Sequence, residues 1–379
     1  MMSVSRLDTS RCFGCAACVE ICGHGAIHTY HDTEGFVRPV VKTQQCVECG
    51  LCETVCPALK TRQDSNTFNQ QIYAAYSNLS EVVGRSTSGG VFYHLAEMVI
   101  NRGGAVYGAV YDSDFHVTHT CATTIAGVKA MHGAKYVQSS LPAGMYHDIR
   151  KRLQAGQWAL FSGTPCQTDA VRSYLRKDYE HLLLCDLVCR SVSSPMVYND
   201  YLQFAQRKKK LKSINMRWKG NGWANTKFHL TYMDGSELIG KGDAQLWHDI
   251  HFSSLVTRPS CHQCPYTSMH RPGDVTIGDF WGIRKSHVTF YHPQGVSLVM
   301  VNTPQGAAAF EEITPSLHLL PSSAEACSQP ALRTPVSPNP RRAAFWRDYP
   351  ATPFKRLAKK YFRYGWYNQA VHRLRRALS

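Results

Sequence analysis

Acidic residues are scarce in this 379-residue sequence, and the imbalance is concentrated at one end. Asp and Glu number 27 against 42 Lys and Arg, so the formal net charge is +15. Residues 341–379 hold eleven Lys or Arg and the single acid Asp348, and they account for +10 of that charge. The basic character therefore belongs mainly to a C-terminal tail and does not by itself indicate a positively charged active site.

Two other features are missing. No stretch approaches the ~20 uninterrupted apolar residues of a membrane-spanning helix. Neither G-x-G-x-x-G nor the Walker A pattern occurs, so a standard Rossmann dinucleotide site and a P-loop are both excluded. With 44% hydrophobic and 18% charged residues, the chain is typical of a globular protein of two or three domains. We see no targeting segment and expect a cytoplasmic protein.

Cysteine, in contrast, is abundant, and eight of the 15 cysteines fall into two copies of C-x2-C-x2-C-x3-C. This spacing is typical of bacterial two-cluster ferredoxins, in which the fourth cysteine of each copy ligates the other copy's cluster. The sequence therefore predicts two [4Fe–4S] clusters with crossed ligands. The first set is Cys12, Cys15, Cys18 and Cys56, and the second is Cys46, Cys49, Cys52 and Cys22.

Zinc and disulfides explain the doubled run less well. A structural zinc ion is complete with four ligands and would not use a third C-x2-C step in each copy. Disulfides are typical of exported proteins, and Cys12 lies too near the start to leave room for a signal peptide, so we expect reduced thiols. Gly23 stands where the first copy would usually have proline, but it removes no ligand.

The residue composition and the predicted secondary structure change after the two cysteine runs. Residues 1–62 form the ferredoxin module, and a polar linker is predicted over 61–71. From residue 73 strands and helices alternate, with strands predicted over 73–77 and 105–111, which predicts an α/β core built from 73–155 and 156–330. The predicted fold class is an α+β ferredoxin-like two-cluster domain followed by an α/β domain. Residues 340–379 form a tail in which aromatic and basic residues are interleaved.

Four further cysteines lie in contexts where α/β proteins assemble sites. Cys166 begins a predicted helix, where the helix dipole favours a thiolate. Cys189 follows an apolar strand, and Cys261 and Cys264 form a C-x2-C pair. We predict a third [4Fe–4S] cluster on these four. Zinc bound by Cys185, Cys189, Cys261 and Cys264 also fits the spacing, and a nucleophilic Cys166 or the absence of any metal are further alternatives.

A run of hydroxyl residues and glycines, Ser86-Thr87-Ser88-Gly89-Gly90, precedes an apolar helix. Exposed backbone N–H groups and the helix dipole make such a segment a candidate phosphate cradle. An ordinary Ser or Thr helix N-cap explains the same residues. The sequence alone leaves both interpretations open.

Seven motifs run in order from about residue 73 to about residue 320. They are Ser86–Phe92, Lys135–Ser139, Gly163–Gln167, Asp186–Cys189, Gly222-Trp223, Cys261-x-x-Cys264 and Asp274–Gly282. This series resembles the coenzyme F420 hydrogenase/dehydrogenase beta-subunit (FrhB-like) family, in which a front-fused ferredoxin module also occurs. The Thr-Ile-Gly-Asp-Phe-Trp-Gly string of the last motif carries most of the resemblance.

The resemblance implies a non-Rossmann FAD site and a [4Fe–4S] cluster within the α/β domain, which would then be a flavin domain. It assigns the hydroxyl–glycine loop to FAD phosphate or ribose and Lys135 to an anionic part of the flavin. It identifies no catalytic residue. The implied FAD-binding residues are Ser86, Thr87, Ser88, Gly89, Gly90, Lys135, Tyr136, Gln138, Gly163, Thr164, Asp279 and Trp281.

The expected function is therefore an iron–sulfur flavoprotein oxidoreductase. It would pass electrons between clusters and a hydride donor or acceptor, which is coenzyme F420 or another organic substrate. One alternative is an electron-relay subunit without a substrate site of its own, and another is a scaffold that has lost its catalytic role. A redox partner protein is expected, and no nucleic-acid motif is present. The tail suggests docking on an acidic partner or the inner membrane face, against the alternative of a helix packed on its own domain.

Overall fold

The computed structural model describes residues 3–60 and 68–365. The N-terminal module pairs strands β1 (Ile27–His31) and β2 (Val37–Val41) as an antiparallel hairpin, with short helices α1 (Ala17–Glu20) and α2 (Leu51–Thr54). Each short helix follows a residue in the left-handed region, Ala16 and Gly50, which turns the preceding cysteine loop back on itself. The module is the predicted α+β unit.

A mixed sheet of eight strands forms the centre of the remaining chain, in the order β13-β3-β12-β11-β7-β6-β4-β5. The four central strands β11, β7, β6 and β4 are parallel, and the outer pairings are antiparallel. The strands are β3 (Gln71–Ser77), β4 (Ala105–Tyr111), β5 (Val117–Ala122), β6 (Ala159–Gly163), β7 (Leu182–Leu187), β11 (Val275–Asp279), β12 (Ser297–Val301) and β13 (Leu317–Pro321).

Helices cover both faces of this sheet. One face packs against the apolar sides of α4 and α11, through residues such as Leu95 and Phe310. The other face packs against α6 and α7, and Ala17 and Val55 of the ferredoxin module join that same apolar cluster. Because both faces are buried, a central strand such as β7 is a nearly continuous apolar run. The helices are α3 (Ser80–Arg85), α4 (Val91–Asn101), α5 (Ile125–Lys129), α6 (Met145–Gln154), α7 (Pro165–Leu175), α10 (Ile283–Ser286) and α11 (Pro304–Ile313).

A smaller antiparallel sheet lies beside the large one and is inserted between β7 and β11. Its strands pair in the order β10-β9-β8 and pack with two helices of the same insertion. These elements are β8 (Leu211–Trp218), β9 (Lys227–Tyr232), β10 (Glu237–Ile239), α8 (Pro195–Ala205) and α9 (Gly242–Phe252).

The C-terminal tail belongs to this second core. Its helices α12 (Arg342–Asp348) and α13 (Phe354–Phe362) pack on α8 and α9, and Phe345 and Leu357 are buried. The aromatic and basic residues that alternate in the sequence lie on opposite sides of α13. The apolar side is buried, and Lys355 and Arg356 are exposed on the other side. The apolar side of residues 342–362 is covered by the chain itself, as in the alternative of a helix packed on its own domain. Docking through the exposed basic side stays a prediction. Trp366, Tyr367 and the last basic residues lie outside the described residues.

The alternation predicted from residue 73 is present, and the predicted strand over 105–111 has those bounds in the structure. Strands from 73–155 and from 156–330 interleave in one sheet, so the boundary at 155 separates two segments of a single unit. Strands β1, β5, β10, β12 and β13 were not predicted. Most of the predicted linker lies outside the described residues. No helix within residues 3–60 and 68–365 is long and apolar enough to cross a membrane.

Candidate metal centres and a basic cavity

The first predicted set of cysteines lines one cavity of the ferredoxin module. Cys12, Cys18 and Cys56 are buried there and Cys15 is half-buried. The left-handed conformations of Gly14 and Ala16 bend the loop so that its sulfurs converge, and Cys56 arrives from the end of α2. Burial raises the pKa of Cys15, and the neighbouring Cys56, Cys18 and Cys12 thiolates raise it further. Without a metal these thiols stay protonated, whereas a positively charged metal group would offset the repulsion among four thiolates and favour their ionised form.

The second predicted set lines another cavity of the same module, and it again includes one cysteine from the other copy. Its members are Cys22, Cys46, Cys49 and Cys52. Glu48 and Gly50 have positive φ values, which tightens this loop as Gly14 and Ala16 tighten the first. Cys49 is exposed, so this cavity lies nearest to solvent. Each cavity is thus lined by the four cysteines of one predicted crossed set, and their ligation of a cluster stays a prediction.

The four cysteines outside the module also converge, although they come from three separate segments. Cys166 is the second residue of α7, Cys189 follows β7, and Cys261 and Cys264 lie in and after the turn Pro259–Gln263. Burial raises the pKa of Cys166 to about 11, with Cys264 the next contributor. Burial raises the pKa of Cys189, and Cys261, Cys166 and Cys264 raise it further. Each thiol therefore lies within electrostatic range of the others.

The zinc alternative for this set does not fit the geometry. Cys185 lies in the middle of β7, where its thiol contacts Ser162 and no other cysteine contributes to its raised pKa. Among the described residues, the only group of three or more ligand atoms within 4.8 Å of one another is Asp112, Asp114 and His116. Sulfurs around one tetrahedral zinc ion would lie about 3.8 Å apart, since each Zn–S bond is about 2.3 Å. The wider spacing suits a larger metal group.

The ferredoxin module contacts the α/β domain close to both metal centres. Tyr146 donates from its hydroxyl to the Cys15 carbonyl at 2.6 Å, and the Phe13 and Tyr266 rings lie 5.6 Å apart. Tyr266 follows Cys264 by two residues, and both share an apolar cluster with Cys12 and Cys166. The first and third cysteine sets therefore lie on two sides of one packed interface.

A separate cavity of about 480 Å³ opens between the large and small sheets. Ligand pockets typically span about 300–1,000 Å³. Arg85, Lys129, Arg217 and Lys219 line it, and none of the described lining residues is Asp or Glu. Together with the hydroxyls of Ser86 and Thr87, this lining favours an anionic ligand.

Arg217 is oriented toward this cavity by residues that the sequence did single out. Asp279, at the end of β11, forms an ion pair with Arg217 in which Oδ2 and Nη1 lie 3.0 Å apart, and it accepts from Trp223 Nε1 at 2.7 Å. Trp281 stacks on Trp223 with ring centroids 5.2 Å apart, and the Arg217 guanidinium lies 5.3 Å from its ring centroid. The hydroxyl of Tyr136 accepts from Arg217 at 3.4 Å. Asp279, Trp281 and Tyr136 therefore hold Arg217 in place without lining the cavity themselves.

Lys219 was not predicted. Its buried ammonium donates to the carbonyls of Val83 (2.6 Å), Ser88 (3.4 Å) and Gln294, which joins the segment before α4 to the β8 end. Burial lowers the pKa of Lys219 to about 8. Lys219 belongs to none of the seven motifs. The Gly222-Trp223 motif, three residues further on, was the only nearby signal in the sequence.

The hydroxyl–glycine segment divides into two parts. Ser86 and Thr87 line the cavity, whereas Ser88 bonds Ser297 Oγ at 2.9 Å and Gly89 donates its N–H to the same oxygen. A Cβ on Gly89 would collide with the Ala75 carbonyl, so the segment needs glycine to pack on the sheet. Gly90, in the left-handed region, is the N-cap of α4, and no side chain caps this helix, so the Ser/Thr cap interpretation is wrong.

Lys135 is half-buried and not a solvated surface lysine. Its ammonium donates to the carbonyls of Met131 (3.3 Å), His132 (3.1 Å) and Gly133 (3.2 Å), and burial lowers its pKa to about 8. His132 and Gly133 line the cavity, but Lys135 is not among the lining residues. Lys135 therefore shapes the cavity wall.

Three other residues assigned to FAD lie beside the cysteines, not at the cavity. Thr164 caps α7 in a capping box with Gln167, and its hydroxyl lies 3.2 Å from the Cys166 sulfur. Gly163 avoids a close contact with the Phe161 ring. Gln138 donates to the Phe13 carbonyl at 3.0 Å, at the contact with the ferredoxin module. The structure thus separates the assigned residues into a cavity group and a cysteine group.

Known proteins match the chain along most of its length. Residues 11–59 match the 4Fe-4S dicluster domain, and residues 156–324 match the C-terminal family of coenzyme F420 hydrogenase/dehydrogenase beta subunits. The subunit designated F of the F(420)H(2) dehydrogenase of Methanosarcina mazei is 21% identical over 324 residues, covering 82% of this chain and 84% of that protein. The archaeal-type glutamate synthase [NADPH] of Thermotoga maritima is 30% identical over 86 residues, which is 22% of this chain and 16% of that protein.

A solved structure of the F420-reducing [NiFe] hydrogenase complex from Methanosarcina barkeri contains a similar chain, with 16% identity and a TM-score of 0.46. The match covers 82% of this chain and 93% of that chain. The crossed cysteine sets and the dicluster match together define an iron–sulfur electron-transfer protein. Residues 156–324 therefore form a domain of the C-terminal family of coenzyme F420 hydrogenase/dehydrogenase beta subunits, and residues 11–59 form a 4Fe-4S dicluster domain.

Proposed function

We propose that this protein is an iron–sulfur flavoprotein that passes electrons between an organic hydride donor or acceptor and its ferredoxin clusters. The basic cavity is the observation that carries the flavin part of the proposal. It has the size of a ligand site, its charged lining residues are all cationic, and it is built in the same domain as the third set of cysteines.

The third set, Cys166, Cys189, Cys261 and Cys264, is proposed to hold a [4Fe–4S] cluster. All four thiols are gathered at one place, and their spacing is too wide for one zinc ion. The start of α7 places partial positive charge near Cys166, which favours a thiolate. This location between the α/β domain and Phe13 of the first loop suits a relay between the two domains.

The cavity residues fit the chemistry of FAD. Arg217 and Lys219 offer positive charge for a pyrophosphate, and the Ser86 and Thr87 hydroxyls offer hydrogen bonds. Asp279 fixes Arg217 through its paired oxygens and thereby aims the guanidinium at the cavity. When bound, FAD would exchange hydride with an organic partner and single electrons with iron–sulfur clusters. The similarity to F420-linked proteins makes a coenzyme F420-type molecule the leading candidate for that partner.

The proposal is tested by anaerobic reconstitution followed by FAD titration. We expect stoichiometric flavin binding to the wild type and binding about tenfold weaker or worse in Arg217→Met, because one charge-assisted contact contributes about 1.5–3 kcal/mol. Lys212→Met, which removes an exposed lysine from the same strand, is the matched control. A reconstituted wild type that binds no flavin would refute the flavin part of the proposal.

Titration with reduced F420, NAD(P)H and reduced ferredoxin then identifies the electron donor. We expect reduced F420 to bleach the flavin before the clusters, since hydride enters at the flavin. Bleaching by reduced ferredoxin alone would reverse the proposed direction and remove F420 as the donor.

An electron-relay subunit without its own substrate is the second candidate. It is favoured by the exposed Cys49 loop, where Val47 is 58% exposed beside the second cysteine set. Such an apolar residue next to a redox centre suits contact with another redox protein. Co-purification of a partner protein, with no turnover of any soluble hydride donor, would support this candidate over the first.

A further inference from the structure

Arg258 lies between the first and third cysteine sets and is only 1% exposed. Its carbonyl accepts from the Cys261 N–H at 2.9 Å and so anchors the turn that carries Cys261 and Cys264. Its side-chain Nε donates to the carbonyl of Cys12 at 2.8 Å. One residue therefore contacts the cysteine loops of both domains.

The guanidinium is held rigidly. Nη1 donates to Gln138 Oε1 at 2.8 Å, and Nη2 donates to the Val37 carbonyl at 2.9 Å. Gly14 leaves the space that this group fills, because a Cβ at that position would lie 2.7 Å from Nη1. These contacts explain why Gln138 lies at this interface and why the first cysteine loop contains a glycine after Phe13.

All of these acceptors are neutral. No described carboxylate lies within ion-pair distance of Arg258, whereas nearby Arg38, which also donates to the Cys12 carbonyl, pairs with Asp32 at 2.7 Å. A buried cation without a counter-charge is costly in a protein interior. Burial lowers the pKa of Arg258, and the cysteines Cys12, Cys261 and Cys166, which become thiolates when they ligate metal, counteract that shift.

We propose that Arg258 is a positioning residue that holds the first and third metal centres together and supplies an unpaired positive charge that raises the reduction potential of both. Reduction adds one negative charge to a cluster, so a fixed cation in a low-dielectric interior favours the reduced form. A cation shared by the two centres raises both reduction potentials. The difference between the two potentials, which drives electron transfer from one centre to the other, then changes little. The inference rests on the proposed third cluster.

The test is a redox titration of the reconstituted full chain, followed by electron paramagnetic resonance. Arg258→Met should move the potentials of the first and third clusters to more negative values, by about 59 mV for each tenfold loss in the one-electron equilibrium constant. Arg258→Lys, which keeps the charge, should recover most of the shift. The second cluster, on Cys22, Cys46, Cys49 and Cys52, should move least and serves as an internal reference.

The control removes a guanidinium without changing the net charge. Arg38→Met combined with Asp32→Asn deletes the other donor to the Cys12 carbonyl together with its counter-ion, so we expect little change in potential. If Arg258→Met fails to load iron, Gln138→Glu provides the same test, because a carboxylate beside Nη1 offsets the cation in place. Its two clusters should also shift to more negative potentials.

Unchanged potentials in iron-replete Arg258→Met, or in Gln138→Glu, would overturn the inference. So would an equal shift in the neutral double variant, since that would show loss of structure and not loss of charge. A wild type that holds about eight iron atoms, enough for two clusters only, would instead refute the third cluster. That result is read from iron analysis before any variant is compared, so the two failures are distinguishable.

Discussion

Asp186 and Arg271 form a wholly buried ion pair, with 2.9 Å between Oδ1 and Nη2 and no exposure of either side chain. Asp186 lies near the end of β7, just before Cys189, and Arg271 follows Cys264 and also donates to the Leu187 carbonyl at 2.8 Å. The pair therefore fastens together two of the segments that carry the third set of cysteines.

Breaking this pair should be costly. In Arg271→Met the Asp186 carboxylate stays buried without its partner, and removing one member of such a pair typically costs about 3–5 kcal/mol of unfolding free energy. We also expect iron loss at the third site, because the Cys189 and Cys264 segments lose their connection. Denaturant unfolding of the apoprotein and iron analysis of the reconstituted protein measure the two effects.

A surface ion pair provides the comparison. Lys209 pairs with Asp234 at 2.7 Å, and the two side chains are 47% and 49% exposed, so Lys209→Met should cost no more than ~1 kcal/mol. An equal loss of unfolding free energy in the two variants would show that the buried Asp186–Arg271 pair stabilises the protein no more than a surface pair does.

Crossed ligation of the ferredoxin clusters makes a specific prediction about Cys22. Cys22 lines the cavity of Cys46, Cys49 and Cys52, so Cys22→Ser should remove the same cluster signal as Cys49→Ser. Cys18→Ser should remove the other signal, because Cys18 lies with the first set. Paramagnetic resonance spectra of the three reduced variants decide the matter. Matching spectra for Cys22→Ser and Cys18→Ser would mean that each run closes on its own cluster.

The third set predicts opposite results for two cysteines only four residues apart. Cys189→Ser should lose about four iron atoms per chain, because Cys189 interacts with the other three thiols. Cys185→Ser should keep them, since its thiol is buried in the sheet core away from other cysteines. Metal analysis after reconstitution tests this difference. Iron loss from Cys185→Ser would restore the zinc-type ligand set as a viable arrangement.

The cysteine sets were accessible from the sequence for a physical reason. Fixed short spacings place three sulfurs on one tight loop, and the crossed fourth ligand follows from the doubled run. Even the third set could be located, because strand ends and helix starts mark the edge where α/β proteins assemble sites. The predicted strand over 105–111 likewise followed from a local apolar run.

The residues that sequence analysis missed depend on distant contacts. Arg258 bonds Cys12, 246 positions away, and Lys219 bonds the Val83 carbonyl, 136 positions away. Nothing in the local pattern around either residue indicates such a partner. The packing of the tail stayed open for the same reason, since an amphipathic helix shows that an apolar side exists but not what covers it. Here α8 and α9 cover it.

The buried tail should contribute to folding stability. Phe345 is wholly buried and packs edge-on against Tyr361 at 5.3 Å between ring centroids, so Phe345→Ala should cost about 3–5 kcal/mol. Lys355→Ala, on the exposed side of α13, should change the unfolding free energy by less than ~0.5 kcal/mol. Thermal or denaturant unfolding measures both. If Phe345→Ala leaves the free energy of unfolding unchanged, residues 342–362 do not form part of the folded core.

The low pKa of Lys219 predicts that the proposed FAD binding depends on pH. Burial lowers that pKa to about 8, so the ammonium is charged below pH 8 and loses its charge as the pH rises through that value. An anionic ligand binds the charged form better and raises the pKa in the complex. The dissociation constant should therefore be lowest below pH 8, rise above it, and level off once Lys219 is neutral in the complex as well.

Lys219→Met should weaken FAD binding below pH 8, because the anionic ligand loses the electrostatic attraction of one buried cation beside the cavity. The variant should also flatten the rise above pH 8, although Lys135, whose pKa is also about 8, leaves part of the slope in place. Lys212→Met should reproduce the wild-type curve, because Lys212 is exposed and outside the cavity. Flavin fluorescence titrations of the apoprotein across this range provide the measurement. A curve in Lys219→Met as steep as that of the wild type would show that Lys219 does not face the ligand's charge.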